Sequence, residues 1–106
     1  DIVVYGAHAD DAAGDAYPDC TPAFYHFMDK AIYFGTGQKV HLQAPLLTLS
    51  KSQVVKWGLE LDVPYFLTRS CYESSNESCG TCATCIDRKK AFTENGMTDP
   101  IHYKEN

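Results

Sequence analysis

Apolar positions along this chain change their spacing several times, and each change predicts a different element. Ile2 to Tyr5 is a continuous apolar run closed by Gly6, the pattern of a strand buried on both faces. Residues 7–20 break the run with Ala, Asp and Gly and predict a long polar loop. Thr21 then offers an N-cap and Pro22 a first helical position, where a missing N–H costs nothing. Phe24, Phe27, Met28, Ala31 and Ile32 follow at i, i+3, i+4, i+7 and i+8, a single stripe that predicts a helix stopped by Gly35 and Gly37. Val40, Leu42 and Ala44 alternate with His41 and Gln43, the period of a second strand ending at Pro45.

Ser50 with Gln53 three residues on forms a capping box for the next helix, whose buried face is expected to carry Val54, Val55, Gly58 and Leu59. Val63 to Leu67 predicts a short third strand or extended segment. A last helix is expected from Ala83 to Asn95, with Gly96 as its stop, and 98–106 as a tail packed by Ile101 and Tyr103 or left loose. The fold class predicted is α/β, a partial parallel sheet with flanking helices. Three strands and two helices leave sheet edges open, so the chain is expected to be part of a larger domain. Its start at Asp1-Ile2-Val3, without Met, points the same way. The expected division is an α/β part over 1–70 and a metal-binding segment with its terminal helix over 71–106.

Composition changes this picture little. The 106 residues are 44% hydrophobic and 22% charged, within the ordinary range for a globular domain. A net charge of −5 argues against a partner bound through phosphates, so no nucleic acid is expected. No apolar run approaches the ~20 residues of a membrane span, so no membrane is expected either. Arg88-Lys89-Lys90 is a short basic run, the kind that usually forms a solvated helix face.

The cysteines change it a great deal. Four of the five, Cys71, Cys79, Cys82 and Cys85, are spaced C-x7-C-x2-C-x2-C. Two-residue gaps let consecutive thiolates point at one centre, and four thiolates make a closed structural zinc site that does not activate water. Gly80 belongs to a turn whose amides tend to point at sulfur. Arg69, Arg88 and Lys89 are near enough in sequence to balance the charge of about −2 on such a centre. Two disulfides would need an oxidising compartment, and an odd cysteine count fits them poorly. An iron–sulfur run would continue with a fourth Cys-Pro, where Ile86-Asp87-Arg88 stands instead. A nucleic-acid zinc knuckle would include a His ligand and a basic surface. Zinc, in a reducing and therefore cytoplasmic setting, is the expectation.

Leu67-Thr68-Arg69-Ser70-Cys71-Tyr72, then Cys79-Gly80-x-Cys82-x-x-Cys85 and Arg88-Lys89-Lys90-Ala91-Phe92, resemble the zinc region of the 7-cyano-7-deazaguanine synthase family. Tyr17-Pro18-Asp19-Cys20-Thr21-Pro22-x-Phe24, Ala44-Pro45-Leu46 with Leu49-Ser50-Lys51, and Asp99-Pro100 are similar to further signatures of that family, in its order. The resemblance implies a PP-loop ATPase fold and a homodimeric, ATP- and Mg²⁺-dependent ligase of queuosine-precursor synthesis. Such an enzyme converts 7-carboxy-7-deazaguanine and ammonia into the 7-cyano compound. The family's SGGxDS phosphate loop has no counterpart here, since no two of the seven glycines are adjacent, so this stretch alone is expected to be inactive. Arg69 stands where the family usually has Trp, which leaves that position's role open.

Candidate substrate contacts are Tyr17, which can stack on a flat base; Asp19, which can hold a substrate amine or Mg²⁺; and Lys51 and Arg88, which can meet a carboxylate or phosphate. Each has an ordinary alternative as a core-edge, loop or surface residue. The same holds for Asp10, Asp11 and Asp15 in the polar loop. Cys20 reads more readily as a small core residue than as a nucleophile. His8, His26, His41 and His102 are scattered and receive no role. A PP-loop enzyme of another specificity and a non-catalytic zinc-stabilised interaction domain are the rival readings.

Overall fold

Thr21 begins the longest helix in the way its sequence predicts: its Oγ1 accepts a hydrogen bond from the Phe24 amide at 3.2 Å, with Pro22 at the first position. The computed structural model describes residues 1–73 and 76–104, without the Asp15 side chain, in two compact units, Asp1–Ser50 and Lys51–Asn106. The expected start of the metal-binding segment, residue 71, falls inside the second unit.

In the first unit a strand β1 (Ile2–Val4) pairs in parallel with β2 (His41–Gln43), Val3 opposite Leu42. Short helix α1 (Ala9–Ala12) and long helix α2 (Pro22–Gly35) lie between them in sequence. After α2 the chain reverses through Gly37 and Gln38, both at positive φ, with the Gln38 amide donating to the Tyr33 carbonyl at 2.7 Å. Polar contacts then fix α2 on β2. Asp29 Oδ1 accepts from the Leu42 amide at 2.9 Å, and the Tyr25 hydroxyl donates to the Leu42 carbonyl at 3.2 Å. The Tyr33 ring stacks on His41 with centroids 4.3 Å apart.

Three expectations are corrected here. β1 forms but is not buried on both faces: Ile2, Val3 and Val4 are 58, 50 and 60% exposed. β2 occupies one of its edges, and α2 packs on β2. The apolar stripe of α2 does not all face inward, because the bonds from Tyr25 and Asp29 rotate the helix; Phe27 and Ala31 are exposed while Ile32 and Tyr33 are half-buried. The polar loop at 7–20 is largely helical, with α1 followed by 3₁₀ turns at Ala13–Asp15 and Pro18–Cys20.

The second unit packs α3 (Lys51–Glu60) against α4 (Ala83–Glu94). Val55, Ala91 and Phe92 are its buried apolar core, with Leu59 and Tyr65 against them. Gly58 is buried as expected, and any side chain there would overlap the Tyr65 hydroxyl. The third strand is replaced by a 3₁₀ turn, Tyr65–Leu67. Pro64 has no N–H for a ladder, and Tyr65 instead sets its ring edge-on to Phe92 at 5.1 Å. Among the described residues the fold is therefore α/β with a two-stranded parallel sheet. The tail returns to the unit: Tyr103 bridges Ser78, and the Lys104 amide donates to the Ser78 carbonyl at 2.8 Å. The last two positions of the expected tail, 105 and 106, lie outside the described residues. No helix among the described residues is long and apolar enough to cross a membrane.

Candidate metal centre

Cys82 is the N-cap of α4 and Cys85 lies in its first turn, so the helix start presents two sulfurs together. Gly80, at φ 78°, allows the tight turn that brings in Cys79. The Cys79 sulfur accepts the Cys82 amide at 3.2 Å and the Thr81 amide at 3.5 Å. Cys71 reaches the group from the loop before it, its sulfur accepting the amides of Glu73 and Cys79, each at 3.4 Å. All four Sγ atoms lie within 4.8 Å of one another.

These spacings fit one tetrahedral ion. A Zn–S bond of ~2.3 Å gives S···S edges of about 3.8 Å; Cys79–Cys85 is 3.9 Å and Cys82–Cys71 is 4.0 Å. A disulfide would need about 2 Å, and none of the cysteines is paired that way. The thiols are tuned unequally. The amides of Thr81 and Cys82 lower Cys79 to about 6, and the Thr84 hydroxyl with the Cys85 amide lowers Cys82. Burial pushes Cys85 up to about 12. The amides and hydroxyl that lower Cys79 and Cys82 favour the thiolate form that a metal takes, and a divalent metal ionises a coordinating thiol outright.

Arg69, whose role the sequence left open, closes the ligand loop. Its guanidinium donates to the carbonyls of Cys71, Glu73 and Asn76 at 3.1, 2.6 and 3.2 Å. Lys89 lies over the Tyr103 ring at 4.8 Å, next to the Gly80 turn. Arg88 is 3% exposed and engages both of its ends. Nε and Nη2 grip Asp99 at 2.7 and 3.1 Å, Nη1 reaches Thr68 and Ser70 at 2.9 and 3.4 Å, and Nη2 meets the Tyr65 carbonyl at 3.1 Å. The Tyr103 hydroxyl donates to the same carboxylate, and burial together with that anion raises its pKa. Asp99 and Tyr103 were not singled out for this role from sequence; the Asp99-Pro100 pair was the available signal.

The remaining expected site residues divide between the units. Lys51 and Arg88 line one cavity of about 150 Å³ with Val54, Thr68, Ser70 and Phe92. Tyr17 and Asp19 belong to the first unit, both exposed, at the Pro18–Cys20 turn. Cys20 lies 3.8 Å from Asp19 Oδ1, and burial, Asp19 and Asp11 raise its pKa, the reverse of what activates a thiol nucleophile.

The family model for queuosine biosynthesis protein QueC matches residues 1–96. The chain belongs to the QueC family. QueC-family relatives named 7-cyano-7-deazaguanine synthase share 44% identity with it in Thermoplasma volcanium, 46% in Oceanobacillus iheyensis and 40% in Methanosphaerula palustris. These matches cover 97, 95 and 99% of the chain but 44, 46 and 48% of the relatives, so the chain spans just under half their length. Of the residues that carried the family resemblance, the four cysteines converge and Arg88 pairs with Asp99, while Tyr17 to Phe24 and Ala44 to Leu46 belong to the first unit.

Proposed function

We propose that this chain is the C-terminal part of an ATP-dependent carbon–nitrogen ligase that converts 7-carboxy-7-deazaguanine and ammonia to 7-cyano-7-deazaguanine in queuosine biosynthesis. The observation that carries the reading is the QueC match over residues 1–96, which contains the whole sulfur quartet. Cys71, Cys79, Cys82 and Cys85 would hold a structural Zn²⁺, whose four positions are filled by protein and leave none for substrate. The rest of the enzyme would complete a PP-loop fold that binds ATP and Mg²⁺. ATP supplies activation, because a carboxylate oxygen leaves poorly until it carries AMP.

This chain's own residues then have binding and positioning roles. Tyr17 and Asp19 face the base or its amine, and Lys51 faces an anionic group of substrate or ATP. Arg88 meets an anion only by releasing a present partner, so it acts by fixing the wall of the Lys51 cavity. The enzyme works in the cytoplasm, as a homodimer, on small molecules and without nucleic acid or membrane. Supplying the full-length protein with 7-carboxy-7-deazaguanine, ATP and ammonium tests this. The expected outcome is AMP release with formation of the nitrile; neither product would end the specific assignment.

A further inference from the structure

His8 caps α1 with its side chain 8% exposed, and its two ring nitrogens have different fates. Nε2 is 2.9 Å from Asp11 Oδ2, one helical turn on. Nδ1 is buried and has no hydrogen-bond partner among the described residues. The contact with Asp11 fixes the tautomer: a carboxylate only accepts, so Nε2 carries the proton and Nδ1 of the neutral ring is a bare acceptor. A buried acceptor left unpaired is costly, which makes it a candidate ligand contact. The Tyr5 hydroxyl, in the same unit, is also buried and unpartnered among the described residues.

The surroundings state what such an acceptor suits. The Tyr5 phenol is raised by burial and by the nearby Cys20, Asp19 and Tyr25, and Asp11 acts on Cys20. Asp11 against the ring and Asp19 by Cys20 are carboxylates, which repel an anion and attract an N–H group or a cation. A metal is not indicated, because the only three-or-more-ligand grouping among the described residues is the distant-in-sequence cysteine quartet. We propose that the His8–Asp11 pair is a binding site for an N–H donor, with Asp11 holding the ring and His8 Nδ1 accepting from the ligand. On the function proposed above, on which this rests, two reactants offer that group: ammonium, and the amino edge of the deazapurine.

The test uses the full-length protein and two substitutions that separate the ring's ends. His8→Gln keeps a donor near the Nε2 position and removes the δ acceptor; His8→Asn keeps an acceptor near Nδ1 and loses the reach to Asp11. The expected result is a rise in KM of about tenfold for one reactant in His8→Gln, the size of one lost hydrogen bond, with a smaller rise in His8→Asn. A rise for ammonium identifies that source, and a rise for 7-carboxy-7-deazaguanine identifies the base. Equal effects of the two substitutions, or unchanged KM for both reactants, would overturn the proposal. Should His8→Gln fail to fold, the ring ¹⁵N signals of the unsubstituted protein give the answer. A bare Nδ1 that shifts on saturation with ammonium or with 7-carboxy-7-deazaguanine supports the site; a protonated Nδ1, or one unmoved by either, contradicts it. An unsubstituted enzyme that forms no nitrile would instead defeat the assignment of function, while the ¹⁵N titration would still judge the site.

Discussion

In the first unit, the buried apolar residues among those described are Ala7 and Leu42, and the contacts that seat α2 on β2 are a carboxylate, a phenol and a stacked imidazole. The second unit instead has Val55, Ala91 and Phe92 in a shared core, a saturated guanidinium and four converging sulfurs. One half of the chain is held by hydrogen bonds to a small sheet with exposed strands; the other gathers the ligands for a cross-link through one metal ion. A metal held by the four sulfurs, together with the buried ion pair, would compensate for how little apolar area so short a segment can bury. The first unit, with Ile2 to Val4 and Phe27 exposed, has no comparable anchor among its described residues.

The largest effect should come from the metal. Structural zinc sites contribute ~10–16 kcal/mol in small peptides at neutral pH, so stripping the ion, or replacing Cys82 by Ser, should collapse protection across 71–104. Hydrogen exchange checks this: amides of 71–104 should open by orders of magnitude while those of α2 and β2 change little. Equal loss in both units would erase the contrast between them. Next comes Arg88. Removing one partner of a buried pair costs about 3–5 kcal/mol, and Arg88→Ala should lose that much in denaturant unfolding of the second unit. Arg88→Lys should recover little, because an ammonium cannot serve Asp99, Thr68 and the Tyr65 carbonyl together.

A methyl added at Gly58 meets the Tyr65 hydroxyl, and overpacking of this kind costs about 1–3 kcal/mol. Combining Gly58→Ala with Tyr65→Phe should restore part of the loss in a double-mutant cycle; strict additivity would mean that the close approach is not the cause. The smallest effect belongs to the first unit and to acid. The Leu42 amide, and then His41, hold the Asp29 carboxyl below its usual value. Such a group stabilises the folded state fully above the unfolded value of about 4 and loses that contribution as pH falls through the lower folded value. Asp29→Asn should flatten the loss of α2–β2 stability on acidification below about pH 4, as followed by helix circular dichroism; an unchanged acid profile would remove Asp29 from that contact.

Local signals were legible in sequence, and those that depend on distant partners were not. Thr21-Pro22 marked the start of α2, Gly96 the end of α4, and the cysteine spacing the sulfur cluster, because each is decided within a few residues. The orientation of α2 was hidden because Asp29 and Tyr25 choose their partners across a turn, on Leu42. Val63 to Leu67 has strand-like residues, but Pro64 and the space over Gly58 draw Tyr65 into a turn that periodicity does not encode. Arg88 stood in a basic run that resembles a solvated face. Its burial depends on Asp99, Thr68 and Ser70, 11 to 20 residues away, so only the fold exposes its role.

The sulfur quartet is best tested by measuring metal content and sulfur coordination on one purified sample. One zinc per chain, with an X-ray absorption edge fitted by four sulfurs at ~2.3 Å, is the expected result. Iron with inorganic sulfide, cysteines oxidised in pairs, or a fully folded protein free of metal would contradict it.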